Sequence, residues 1–419
     1  MVRRHTGPAL AAAGRRRRTA VVLAAALAAL VGSLLAGVAG AAPASADGPG
    51  AGAPWVVSLG DSYVSGEAGR WAGSTNLSSR RADALGPTAY YDNAAGTAEQ
   101  VRGCHRSRSA EGAIGGGVRS LDLACSGAKA STYTAITGHF KPGLDFADDG
   151  PQRQGQAAML RTFARTHDVR MVLVGIGGND FGFATVITSC VGDFLGSSAL
   201  HPNYCSDDAW VRSKFTSANV AVVRARVARG LQNVRTAMRQ AGYADSSWTM
   251  VVQNYASPIP PASGFRYGQS KLARQGIGGC GFWNHDADWA NRTALATINS
   301  TVSAAVTASG VAGVKRLDLS SSLNGRRLCE KGVGLLEEQG LSSWTRPGAA
   351  DRTEWVNQIR TVTTLGSYQL QESLHPNYWA QLGLRSCVRQ VWNAGLPRGG
   401  SCGLAGTGLV AGEPRMVLS

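Results

Sequence analysis

The chain has 419 residues, with 42 Lys and Arg against 27 Asp and Glu, a formal charge of +15. Six of the arginines and no acid lie in the first 46 residues, so the remainder carries +9, and its basic residues are scattered. Scattered cations lack the clustered stripe with interleaved aromatics of a nucleic-acid binder, which sets that class aside and leaves only general attraction to anionic walls or lipids.

Residues 1–46 read as a secretory leader and not as part of the fold. Arg15 to Arg18 form a basic n-region, 19–40 are almost wholly Ala, Val, Leu and Gly, and Ala44-Ser45-Ala46 supplies the small-x-small processing pattern. A membrane anchor is the alternative, because the apolar run approaches bilayer-spanning length. The Ala and Gly content and the processing site favour export with cleavage, by either the general or the twin-arginine route. The mature protein is then expected outside the cytoplasm, soluble and monomeric.

The eight cysteines all lie beyond the leader and include no Cys-x-x-Cys, which argues against a zinc or redox site; no metal or cofactor is expected. In an exported chain they read as a disulfide framework. Sequential pairing closes four modest loops: Cys104 with Cys125, Cys190 with Cys205, Cys280 with Cys329, and Cys387 with Cys402. The cysteines are spread along the roughly 370 residues beyond the leader, which hold no Pro/Ser-rich linker, so one domain over 47–397 is expected, with 398–419 a tail tethered through Cys402.

In chain order, short apolar, β-branched segments alternate with helical ones. Strong strand candidates are PWVVSLG at 54–60, VRMVLVGIGG at 169–178 and SWTMVVQNY at 247–255, with weaker ones at 120–125 and 313–319. Between them, 152–166, 208–241 and 285–309 read as helices. That alternation predicts an α/β fold, a three-layer sandwich around a parallel sheet of about five strands. Residues 67–118 and 320–373, rich in Gly, Ser and Arg, fit no period and read as long loops held by disulfides.

Four segments carry candidate chemistry. The first strand ends in GDSYVSGE, delivering Ser62 into a turn; LACSGAKAS places Gly127 after another strand end; VGIGGNDFGF places Asn179 likewise; and SLHPNYWAQ sets His375 before a late helix. In a doubly wound sheet the carboxyl ends of the strands converge on one edge. Ester hydrolysis through an acyl-enzyme needs a hydroxyl nucleophile, a base and oxyanion donors. Ser62, His375, and the trio of Ser62 N–H, Gly127 N–H and Asn179 side chain supply that set. Asp61 is expected to tie the turn rather than act as base, by accepting backbone N–H bonds. LHPNY occurs twice, and the earlier copy puts His201 in the short loop between Cys190 and Cys205, away from the expected base position.

GDSYVSGE, the Gly of ACSGA, GGND and HPN, in that order, resemble the four blocks of the GDSL or SGNH hydrolase superfamily, and CHRS at 104–107 is similar to its secreted actinobacterial lipases and esterases. The likeness spans roughly residues 55–390. It implies a flavodoxin-like sandwich, no metal, and carboxylic ester hydrolysis by a Ser62–His375 pair. The family usually keeps an Asp three residues before the His; here Glu372 stands there. Either the Glu372 carboxylate or a main-chain carbonyl orients the imidazole. A lipid or fatty-acyl ester, met through transient contact with a lipid surface, is the leading substrate. The alternatives are O-acetyl groups on extracellular polysaccharide and a non-catalytic glycan-binding scaffold.

Overall fold

The computed structural model describes Gly50, residues 52–361 and residues 370–419; the expected leader lies outside these residues. Five parallel strands form the centre: β1 (Trp55–Gly60), β2 (Arg119–Asp122), β5 (Val169–Gly175), β6 (Thr249–Gln253) and β7 (Lys315–Asp318), in spatial order β2-β1-β5-β6-β7. This is the doubly wound order in which the chain reverses direction across the sheet between β1 and β5, leaving a crevice at their carboxyl ends. A two-stranded ribbon, β3 (Tyr133–Thr134) with β4 (Phe140–Lys141), stands apart.

Alternation along the strands builds two cores. Val56, Met171, Leu173, Val251 and Leu317 face one side, where helix α7 (Tyr378–Trp392) contributes Leu384, Val388 and Val391. Val57, Leu59, Val172, Val174 and Val252 face the other, under α2 (Gln156–Ala164), α4 (Ser217–Gln240) and α6 (Leu295–Ser309). Strands buried on both faces read as continuous apolar runs, which is how they stood out in the sequence. The helix expected over 208–241 breaks at Phe215 and Thr216, where the Thr216 hydroxyl caps α4 by accepting from Asn219 N–H.

The sheet has seven strands, not about five. The expected tail forms β8 (Gly400–Val410), parallel to β7, and β9 (Glu413–Leu418), antiparallel to β8. Alternation in β9 buries Pro414, Met416 and Leu418, while the Gly-rich β8 hides its strand character. Arg389 on α7 clamps Glu413 with two N–H donors, fixing the hairpin to the domain.

All eight cysteines are paired, in the sequential order read from the chain. The Cys280–Cys329 bridge spans 49 residues, and chain-entropy arguments assign a loop of that size about 4 kcal/mol. A Cys280→Ser/Cys329→Ser variant should lower the unfolding free energy by roughly that amount, read from its denaturant midpoint.

Candidate active site

β1 ends where it crosses closest to β5. Gly60 has φ +136°, and a Cβ there would collide with the Gly175 carbonyl, so only glycine fits. Gln156 holds this strand end, accepting from Gly60 N–H at 2.7 Å and donating to its carbonyl at 2.9 Å. The chain then turns into α1 (Ser62–Ser65), capped by Asp61, whose Oδ1 accepts from Tyr63 N–H at 3.2 Å. The other oxygen of Asp61 accepts from the Tyr255 hydroxyl, which itself accepts from Gly178 N–H at 3.0 Å. Burial pushes the Asp61 carboxyl up to about 7, against the pull of these bonds. One oxygen thus bonds within the turn and the other ties it to Tyr255, as a bracing role requires.

Ser62 and His375 meet. The Ser62 Oγ lies 2.7 Å from His375 Nε2, and His375 Nδ1 lies 2.9 Å from the Ser373 carbonyl. A carbonyl can only accept, so Nδ1 carries the proton and Nε2 is left as the acceptor facing the hydroxyl. The Glu372 carboxylate is directed elsewhere, accepting from Trp71 Nε1–H at 2.9 Å and from the Tyr90 hydroxyl. Of the two orienters left open by the sequence, the geometry therefore selects the main-chain carbonyl and corrects the assignment to Glu372. Burial lowers the His375 pKa from the usual histidine value; the nearby Glu67 charge and the Ser373 bond oppose that shift without cancelling it. If His375 must be neutral to act, kcat/KM should hold as pH falls through the ordinary histidine range and decline only below it. A pH–rate profile checks this.

Of the expected oxyanion donors, Ser62 and Asn179 line one pocket. Asn179 follows β5. One hydrogen of its Nδ2 goes to the Ala128 carbonyl at 3.0 Å, which leaves the other available. Gly127 has φ +80°, a conformation suited to glycine. Among the described residues, neither the Ser62 nor the Gly127 amide has an acceptor. Asp180 anchors the loop by accepting from Ala130 N–H at 2.9 Å. His201 is exposed in the loop closed by the Cys190–Cys205 bridge.

The pocket at Ser62 encloses about 350 Å³, its open mouth included, and is walled by Phe183, Tyr255, Leu295 and Ile298. A second apolar chamber adjoins it, sharing Phe183, Pro258 and Leu295 and extending to Phe215, Phe282 and Trp289. Its wall includes Ala290 and Ala294, which begin and end a π-helical turn between α5 (Asn284–Trp289) and α6. Such turns widen a helix and recur at functional sites. Trp289 is thus a lining residue, whereas Trp283 and Trp355 are buried in the core and Trp344 packs on Tyr378 and Trp379.

Several site residues carried no assignment from the sequence: Glu67, His105, Gln371, Tyr90, Trp71 and Tyr255. Two of them lie within quoted blocks, Glu67 closing GDSYVSGE and His105 in CHRS. Both are polar residues inside short motifs that already had an assigned member, and this is the one signal that marked them.

No family profile and no curated protein matches the chain. Among solved structures it is similar to an extracellular lipase from Streptomyces rimosus at 20% identity, covering 82% of this chain and 100% of the lipase with a TM-score of 0.39. It is also similar to a phospholipase A1 from Streptomyces albidoflavus at 21% identity, covering 82% and 99%, with a TM-score of 0.42. A carbohydrate acetylesterase from Sinorhizobium meliloti matches at 12% identity over 69% of this chain and 94% of its own, with a TM-score of 0.26.

Proposed function

We propose that the protein is a carboxylic ester hydrolase of the SGNH type, acting through a Ser62–His375 dyad on fatty-acyl esters. The observation that carries this reading is the 2.7 Å contact between His375 Nε2 and the Oγ of Ser62, a residue that lines an apolar pocket. Ser62 Oγ attacks the ester carbonyl while Nε2 takes its proton; the Ser62 and Gly127 amides and Asn179 Nδ2 stabilise the oxyanion. The imidazolium, held by the Ser373 carbonyl, then protonates the departing alcohol. Water activated by the same nitrogen hydrolyses the acyl-enzyme, releasing the acid and restoring Ser62. A backbone carbonyl can fix the tautomer as a carboxylate does, although it brings a dipole rather than a full charge.

The second chamber favours a long acyl group over acetyl, because an acetyl group ends within the first pocket and leaves the second unused. Export is part of the same proposal: the leader-like first 46 residues and the four disulfides both suit an oxidising compartment outside the cytoplasm. Labelling with a fluorophosphonate, followed by mapping of the adduct, tests the assignment. The adduct should sit on Ser62 and be absent from a His375→Ala protein; a label on another serine would overturn it.

A further inference from the structure

We propose that Glu67 and His105 form a buried positioning pair that holds the His375 loop against the Ser62 turn. The inference rests on the reading of Ser62 and His375 as the hydrolytic dyad and extends it to residues that do not touch the reacting atoms.

Glu67 reaches both halves of the dyad. Its N–H donates to the Ser62 carbonyl at 3.1 Å, and one carboxylate oxygen accepts from Gln371 Nε2 at 2.8 Å, four residues before His375. The other oxygen takes His105 Nδ1–H at 2.7 Å. His105 stacks on Tyr90, with ring centroids 4.5 Å apart and planes 7° from parallel, and the Tyr90 hydroxyl donates to Glu372 in the same loop. Cys104, beside His105, is bridged to Cys125, and its carbonyl accepts from Ser126 N–H at 3.0 Å, next to Gly127. The nucleophile turn, the oxyanion loop and the base loop are thus joined through one polar network.

A merely stabilising ion pair does not account for this arrangement. Glu67 is fully buried and His105 nearly so, where an apolar pair of similar volume would serve stability as well or better. The backbone is also strained around the pair and the base. Ala68, His105 and Leu374 have φ of 65°, 49° and 60°, a left-handed region that a Cβ disfavours, and they are or adjoin Glu67, His105 and His375. Strain of this kind persists where surrounding contacts over-determine a functional geometry.

The pair also acts on His375 electrostatically, with opposite signs. The Glu67 anion favours the imidazolium, and the His105 cation disfavours it. Burial would lower the His105 pKa, but Glu67, Glu99 and Glu372 outweigh it and raise the pKa above the usual histidine value. Burial would raise the Glu67 carboxyl pKa, but the His105 charge and hydrogen bond, with smaller help from His375 and Ser126, bring it below its ordinary value. Lys141, whose Nζ donates to the Gly103 carbonyl at 2.7 Å, is a further cation close to Glu67, and the uncharged Tyr63 ring packs 5.8 Å from the imidazole.

The test uses three variants of the full chain in a nitrophenyl-ester assay, with His375 ring titration by NMR of histidine-labelled protein as a second readout. Glu67→Gln should move the acid limb of kcat/KM, and the ring titration, to lower pH. His105→Gln, which leaves Glu67 unopposed, should move both to higher pH. Gln371→Leu breaks the tether without changing charge, and should lower kcat roughly tenfold to a hundredfold with KM and the acid limb little changed. A purely structural pair would change the thermal midpoint without these opposed shifts. Titrations matching wild type in the two charge variants, or a wild-type kcat in Gln371→Leu, would overturn the proposal. Should Glu67→Gln not fold, the other two variants decide. An inert wild type, or a Ser62→Ala protein that retains activity, would instead overturn the hydrolase reading, while the ring titration still scores the pair.

Discussion

Replacing His375 by alanine should lower kcat on a nitrophenyl ester by on the order of 10⁴-fold or more, whereas His201→Ala should leave it within about twofold. The two histidines share an LHPNY context, so their local sequences do not separate them. Their surroundings do: His375 has one nitrogen on Ser62 and the other on the Ser373 carbonyl, while His201 is exposed on a disulfide-closed loop. Without the imidazole no group is placed to take the Ser62 proton, and the oxyanion donors alone give a small residual rate. Glu372→Gln belongs in the same series. Its carboxylate serves Trp71 and Tyr90 rather than Nδ1, so kcat should fall by less than about tenfold, compared with the roughly 10⁴-fold loss seen where an acid fixes the tautomer. A loss of that larger size would show that the carboxylate acts on the imidazole after all. Equal losses at His201 and His375 would mean that the active site lies elsewhere.

The second large effect concerns chain length. Ala294 ends the π-helical turn in the wall of the second chamber, and Ala294→Trp should fill that space. Each methylene moved from water into an apolar pocket contributes about 0.8 kcal/mol. An acyl chain that loses several such positions should lose about a hundredfold or more in kcat/KM. The quantity to measure is the ratio of kcat/KM for a long-chain nitrophenyl ester to that for the acetate. It should drop by about that factor, because the acetyl group never reaches the altered wall. A ratio that does not move would remove the case for fatty-acyl selectivity and return the acetyl reading to the front. Since overpacking can itself destabilise a core, the thermal midpoint of the variant belongs beside the kinetics.

The layout of the sheet was readable because its strands are buried on both faces. The runs at 169–178 and 247–255 hold little but apolar and β-branched residues, and no helical surface produces such a run at that length. Ser62, Asn179 and His375 were readable because each stands at a strand end or just before a helix, where small residues clear space around a polar one. The orienter of His375 stayed open between Glu372 and a main-chain carbonyl, because a backbone carbonyl leaves no mark in side-chain identity. The hairpin at the C-terminal end escaped because a Gly-rich strand offers no alternation to detect. The long stretches at 67–118 and 320–361 are ordered by tertiary contacts with no local period. The Arg70–Asp83 pair, with donors at 3.0 and 2.6 Å, and the buried Trp355 are examples.

The cysteine pairing has a consequence for how the protein matures. Each bridge joins a cysteine to the next one along the chain, at separations of 21, 15, 49 and 15 residues. If the chain is exported, as proposed above, and crosses unfolded by the general route, it presents its thiols to the oxidising side in that same order. An oxidase that links each newly emerged thiol to the one still waiting would then form the native set in a single pass. Recovery in a host with a thiol oxidase and no isomerase should therefore match recovery in a host with both.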